Sequence, residues 1–255
     1  AQALCAIIII ATGNSICVFE VEWLNYTITF LWVVGLMNSI NMLDNMDGIT
    51  TIASIFSLIG MLTVIVFNKT FESAYFVLVL GLIGALLGFL LFNWHPSKMY
   101  MGDTGSQFLG DVLAALSIKF LWNHSATEYH TTSRQFILPI LAFIVPLSDT
   151  LSVVINRISK GRSPFVGGKD HTTHHLSYLR LSDQSVALLV AGLGIFSTVI
   201  LLIALSIKNW THLFTILFGL YALVVFVSLY LTTKLQLFGK EPKQDEEAKQ
   251  PTEIN

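Results

Sequence analysis

Between Asn38 and Gly48 the chain reads Asn-Ser-Ile-Asn-Met-Leu-Asp-Asn-Met-Asp-Gly, with long apolar runs directly before and after it. A charged side chain at membrane depth costs about 3 kcal/mol or more, so carboxylates in such a setting mark function before packing. Asp44 and Asp47 are three residues apart and share one face if the helix continues through them. Two anions that close repel, unless one is protonated or a cation lies between them. Asn38, Asn41 and Asn45 follow an i, i+3, i+7 stripe that would put their amides on the same side. A cation or phosphate site is expected. The plainer alternative is a helix end at the water interface, capped by Asn and Asp.

A second polar stretch runs from Phe92-Asn93-Trp94-His95-Pro96 to Tyr100-Met101-Gly102-Asp103-Thr104-Gly105-Ser106. Two glycines bracket Asp103 and Thr104, which suggests a tight turn that lets a ligand approach the backbone. Ser106 is placed to cap the next helix, whose free amides would favour an anion. Asp103 is a natural ligand for a hard cation, since Mg²⁺ takes one or two carboxylates together with substrate phosphate oxygens. A third stretch, Asn156 to His175, gathers Arg157, Lys160, Arg162, Lys169, His171, His174 and His175 in a glycine-rich loop. Arg offers a fork and Lys a point charge, a combination suited to a diphosphate. Three histidines could instead hold zinc, although no Cys or zinc-protease spacing accompanies them. Asp149, near the end of an apolar run, is read as either an assisting acid or a capping and packing residue.

These stretches are spaced by the elements that must carry them. The chain has 255 residues, 54% apolar and 12% charged, against about 25% charged in an ordinary soluble domain. Apolar runs of membrane-spanning length recur along it. The pattern predicts an all-α, polytopic transmembrane bundle of about eight spans. They fall at 1–13, 26–43, 49–67, 73–92, 107–122, 136–155, 185–207 and 212–234. Residues 1–238 read as one multi-span domain and residues 239–255 as a charged, disordered cytoplasmic tail. Gly81, Gly84 and Gly88 have the spacing of close helix packing. Cys5 and Cys17 form neither a disulfide framework nor a metal spacing. The chain opens on Ala1 inside an apolar run, so an N-terminal part of the protein is expected to be missing.

Alternating the spans puts all three polar stretches and the tail on one side. That side also holds most of the Lys and Arg residues, which makes it cytoplasmic. No feature calls for a nucleic-acid partner.

Together the three motifs resemble those of the polyprenyl-phosphate N-acetylhexosamine-1-phosphate transferases. The pattern Asn-x-x-Asn-x-x-Asp-Gly-x-Asp-Gly is similar to Asn38–Gly48, with Asn45 where the first glycine would stand. Phe-Asn-x-x-Pro and Met-Gly-Asp-Thr-Gly-Ser match Phe92–Pro96 and Met101–Ser106. The Ser-Pro-Phe and histidine loop at Ser163–His175 resembles the branch that uses UDP-N-acetylhexosamines. His171 and His174 align with the ends of its His-x-His-His, leaving Thr173 where the middle histidine would be. The other alignment sets His174-His175 on the final pair. An adjacent Asp-Asp pair that the family carries upstream has no counterpart here.

The resemblance implies transfer of a sugar-1-phosphate from a UDP-sugar to polyprenyl phosphate at the cytoplasmic face of a bacterial inner membrane, with release of UMP. It implies Mg²⁺ (or Mn²⁺) as cofactor, the lipid bilayer as surroundings, and leaves a homodimer open. Asp44, Asp47, Asp103, His171 and His174 would be catalytic. Asn38, Asn41, Asn93, Tyr100, Arg162 and His175 would bind substrate, and Asp103 and Asn41 would hold the metal. Direct attack and a covalent Asp intermediate both stay open. The rivals are a transporter with a carboxylate ion site near the bilayer midplane and a non-catalytic scaffold. We expect these 255 residues alone to be inactive in an assay of UMP release; detectable transfer by them would refute the inference that an upstream part is needed.

Overall fold

The computed structural model describes residues 1–124, 132–163, 168 and 170–234. The expected tail at 239–255, Pro164–Gly167 and Lys169 lie outside the described residues. The described residues form helices and no strand: α1 (Gln2–Ala11), α2 (Glu22–Leu43), α3 (Ile49–Phe67), α4 (Ala74–Asn93), α5 (Gly102–Ser117), α6 (Thr132–Ala142), α7 (Ile144–Ser159), α8 (Thr172–Tyr178), α9 (Asp183–Ser206) and α10 (His212–Lys234). A π-helical turn, Ile118–Trp122, continues α5. The all-α expectation holds, and the long apolar helices make this a multi-pass membrane protein.

Eight spans is more than the structure supports. Five helices (α2, α3, α4, α9 and α10) are long and apolar enough to cross a membrane, or six if α6 and α7 count as one broken span. The first run is a helix of only 10 residues. The run expected at 136–155 bends by 87° between α6 and α7. Pro146 explains the break: it has no amide proton for the carbonyl four residues before it. That carbonyl, on Ala142, accepts instead from the Ser57 hydroxyl at 2.8 Å.

The core lies where α2, α3, α5 and the α6–α7 elbow meet, around Leu36, Met37, Leu58, Met61, Leu113 and Phe143. Gly110 is the closest approach. A Cβ built there would lie 2.7 Å from the Met37 Cα, so α2 and α5 touch backbone to backbone. The glycine stripe of α4 does something else. A Cβ at Gly81, Gly84 or Gly88 would meet nothing within 4 Å, so these glycines do not pack helices within this chain. Gly110→Ala is expected to force α2 and α5 apart and cost about 1–3 kcal/mol of stability, while Gly84→Ala stays near neutral. Thermal unfolding of both variants in detergent checks the pair.

Candidate functional site

The polar stretches converge at one end of the bundle, where α2, α4 and α7 finish and α3, α5 and α9 begin. Their convergence is built by side-chain amides. Asn93, 4% exposed, closes α4. Its carbonyl oxygen accepts from the Gly48 amide at 3.1 Å and the Thr51 hydroxyl at 2.9 Å, and its NH₂ donates to the Met99 carbonyl at 2.9 Å. Gly48 sits at φ +76°, a backbone region open mainly to glycine. Asn93 was expected to bind substrate. The structure spends it on tying the first polar stretch to the second.

The first stretch does not stay helical, and this changes the expected pairing. α2 ends at Leu43, with Asp44 as its C-terminal cap. Asp44 and Asp47 then turn to different neighbours. Asp47 accepts from the His95 ring at 3.0 Å and from the Ser97 amide at 3.0 Å. Burial pushes the Asp47 carboxyl upward, but the Ser97 amide and the His95 ring outweigh it and hold it below the usual range. Asp44 faces Gly102 and Asp103. Burial raises its carboxyl above the usual range. The Gly102 amide and the nearby Thr50 hydroxyl oppose this, although the latter reaches no hydrogen bond of good geometry; the negative charge of Asp103 raises it further. The close carboxylates are therefore Asp44 and Asp103, from helices whose motifs are far apart in sequence.

Asp103 lies in the first turn of α5, not in a turn ahead of it, and Gly102 at φ +68° makes that start feasible. Ser106 is consequently no N-cap. It is fully buried and donates to the Gly102 carbonyl at 3.0 Å. With its proton so used, its oxygen accepts from the Asn41 NH₂ at 2.9 Å, and the same NH₂ reaches Asp103 Oδ1 at 3.1 Å. Asn41 thus turns its donor to Asp103 and orients that carboxylate; the expectation that it ligates a metal beside Asp103 does not fit this orientation. Of the three asparagines, Asn38 and Asn41 are three apart within α2 and keep to one face. Asn38 pairs reciprocally with Gln2 of α1, at 2.9 and 3.1 Å. Asn45 lies past the helix end and meets the third stretch.

The histidine loop is clasped from below. Asp149, 1% exposed within α7, takes His171 Nδ1 at 2.8 Å on one oxygen. Its other oxygen takes the Thr172 amide at 2.8 Å and the Thr172 hydroxyl at 2.6 Å. These contacts start α8. Asp170, just before, is locked to the buried Arg157 by a two-pronged pair at 2.7 and 2.6 Å. Burial pushes the Asp170 carboxyl up, and Arg157 more than reverses this, leaving it below the usual range. Thr173 donates to Asn45 Oδ1 at 2.7 Å, joining the loop to the turn that carries Asp44.

His171 is thus enclosed, whereas His174 and His175 are half-buried. Tyr100 is 76% exposed on the segment leading to α5. Arg162 is exposed, and no contact brings it to the carboxylates. Among the described residues no three His, Cys, Asp or Glu side chains group as metal ligands.

His95 has no role in the sequence reading; it joins Asp47 to Asp183 of α9, 3.6 Å away, and its place inside the Asn-Trp-His-Pro stretch is the available signal. Asp149 takes the packing role of its two alternatives, with partners more than twenty residues on that leave no local trace. An apolar groove of about 480 Å³ opens between α2, the α6–α7 elbow and α10. Leu31, Leu36, Leu151 and Phe226 line it, with the polar Ser39, Ser148 and Thr150 among them.

A helical membrane protein with paired carboxylates, a histidine loop and an adjoining apolar groove at one end of its bundle defines a narrow class. The chain belongs to glycosyl transferase family 4: residues 1–121 match the model described as Glycosyl transferase family 4. It is 34% identical over 215 residues to the probable undecaprenyl-phosphate N-acetylglucosaminyl 1-phosphate transferase of Bacillus subtilis (strain 168), covering 83% of this chain and 56% of that one. It is 32% identical over 198 residues to a phospho-N-acetylmuramoyl-pentapeptide-transferase of Kosmotoga olearia, covering 76% and 54%. The chain spans about half the length of the curated relatives it matches.

The clasp generates a prediction. Asp149→Ala leaves three buried donors without an acceptor, each worth about 1–3 kcal/mol. Loss of several kcal/mol in thermal unfolding is expected; an unchanged melting temperature would show that the clasp contributes no stability.

Proposed function

We propose that the complete protein transfers N-acetylhexosamine-1-phosphate from a UDP-sugar to polyprenyl phosphate, at the cytoplasmic face of a bacterial inner membrane. The products are polyprenyl-diphospho-sugar and UMP, and the reaction begins cell-wall or surface-polysaccharide assembly. One observation carries this reading: two carboxylates from separate motifs share the end of a membrane bundle, next to an apolar groove. The two named relatives, a sugar-1-phosphate transferase acting on undecaprenyl phosphate and a pentapeptide-sugar transferase, support it.

An oxygen of the lipid phosphate attacks the phosphorus that bears the sugar. The bond from that phosphorus to the bridging oxygen breaks, and the oxygen leaves on UMP. Both reactants are anions, so the site must offset charge. Asp44 and Asp103 form a hard oxygen-donor set whose mutual repulsion a divalent cation would relieve, and one or two carboxylates completed by substrate phosphates suit Mg²⁺, or Mn²⁺. When bound, such an ion would weaken the repulsion between the phosphates and stabilise charge on the departing UMP.

The chain's own residues do the rest. Asn41 fixes the Asp103 rotamer. Asp47 holds the 95–97 segment through His95 and Ser97, so its role is to position. His174 and His175 offer ring nitrogens to the diphosphate or sugar, and Arg162 adds positive charge from the loop. Tyr100, with its exposed ring, suits stacking on uracil. The apolar groove suits the prenyl chain, bringing its phosphate to the same end. A transporter would want its carboxylates near the bilayer midplane; Asp44 caps α2 and Asp103 starts α5, both at helix ends.

Asp103→Asn in the complete protein should lower UMP release from UDP-N-acetylglucosamine or UDP-N-acetylgalactosamine by about 100-fold or more. Wild-type turnover in that variant would overturn the carboxylate assignment. The raised Asp44 carboxyl adds a pH dependence. A proton on Asp44 competes with the divalent ion, so the Mg²⁺ concentration for half-maximal rate should rise as pH falls through that raised value. A titration of rate against Mg²⁺ at several pH values measures it, and a flat response would exclude Asp44 as a ligand.

A further inference from the structure

Asn45 stands where the resembled pattern has a glycine, and Thr173 lies in the histidine stretch, at the middle histidine in one of its two alignments. In the folded chain these two residues meet. The Thr173 hydroxyl donates to Asn45 Oδ1 at 2.7 Å, across 128 residues of sequence. We propose that Asn45 and Thr173 form a latch that sets the histidine helix against the carboxylate turn. They are positioning residues for the transfer reaction, and the inference deepens the transferase reading on which its kinetic arm rests.

The surroundings explain why one hydrogen bond can matter here. Asn45 follows Asp44 directly, and Thr173 precedes His174 directly. The latch therefore fixes the spacing between a candidate metal-side carboxylate and a candidate substrate-side histidine. Both ends are built for it. The Asn45 NH₂ is anchored to the Met42 carbonyl at 2.9 Å, which turns its oxygen outward to Thr173. Thr173 is 2% exposed, so its hydroxyl has little water to turn to. Asp149 ties the start of α8 to α7, and the Ser177 hydroxyl donates to Asp183 of α9 at 2.9 Å. Leu176 packs in one apolar cluster with Leu43 and Ile49. Asn45 adds a directional tie from α8 to the α2–α3 turn, at the residue next to His174.

The experiment is a double-mutant cycle in the complete protein. Thr173→Val removes the hydroxyl and keeps the shape; Asn45→Ala removes the acceptor. Each should raise KM for the UDP-sugar about 10-fold while kcat stays within about 3-fold, and the double variant should be no worse than either single one, because one interaction is lost once. Thr173→Ser, which keeps the hydroxyl, should stay close to wild type. Multiplying effects in the double variant, or a Thr173→Ser variant as impaired as Thr173→Val, would overturn the latch. Asn45 is half-buried, so Asn45→Ala with Thr173→Ser keeps the test decisive should Thr173→Val not fold. A second readout needs no activity. Tryptic cleavage after the exposed Lys160 and Arg162, in the connection to α8, should be about 10-fold faster in the latch variants than in wild type or Thr173→Ser. Equal cleavage rates would overturn the latch even if the enzyme reading stands. A wild type that releases no UMP would overturn the enzyme reading while the cleavage rates still decide the latch.

Discussion

Asp44 and Asp103 are held near each other by parts of the structure that carry no positive charge. Burial is the main reason that the Asp44 carboxyl lies above its usual range, and the charge of Asp103 adds to it. What holds them is packing. Gly110 lets the backbone of α5 lie on Met37 of α2, so the end of one helix and the start of the other must share a volume. Gly102, in the left-handed region, starts α5 one residue ahead of Asp103. Asn41 then takes up the slack by orienting one carboxylate. The repulsion is a property of the fold, set before any ligand arrives.

The sequence located the polar stretches better than it revealed what each of their residues touches. Apolar periodicity gave the long helices α2, α3, α4, α9 and α10 nearly to their ends, because burial in lipid leaves no choice of secondary structure. It failed at the α6–α7 elbow. An apolar run with Pro146 inside can be a kinked span or a break, and the deciding contact, Ser57 on the Ala142 carbonyl, comes from another helix. The polar motifs were all located, and all lie at one end of the bundle. Their internal assignments were less legible. Extending helical geometry past Leu43 paired Asp44 with Asp47 and aligned three asparagines. The turn at Asp44 parts Asp44 from Asp47 and takes Asn45 off the stripe, while Asn38 and Asn41 keep their helical spacing within α2. Asn93 looked like a ligand for the same reason that it is a knot: a buried amide has both a donor and an acceptor to satisfy, and backbone groups can satisfy them as well as a substrate can.

The three carboxylate–partner pairs around the site have separate mechanical tasks. Asp47 with His95 ties the α2–α3 turn to the segment that feeds α5, and Asp183 brings the start of α9 to the same imidazole. Asp149 with His171 and Thr172 starts α8 on the floor formed by α7. Asp170 with Arg157 closes the connection between those two helices. Each is a partly or fully enclosed pair, where removal of one partner strands the other. Such pairs are weak evidence of net stability but strong evidence of fixed geometry. Here they fix the frame around Asp44, Asp103, His174 and His175.

This division also explains why a chain so poor in charge concentrates it at helix ends. A carboxylate within a lipid-facing stretch must be neutralised or paired. At a helix end the backbone offers free amides, turns and loop side chains that can do the pairing. Ser97, Gly102 and Thr172 all contribute main-chain donors in this way. The same level of the bundle is where an apolar chain lying in the groove between α2 and α10 would present its polar end. The groove approaches that end along α2, α7 and α10, whereas Asp103 reaches it from the start of α5.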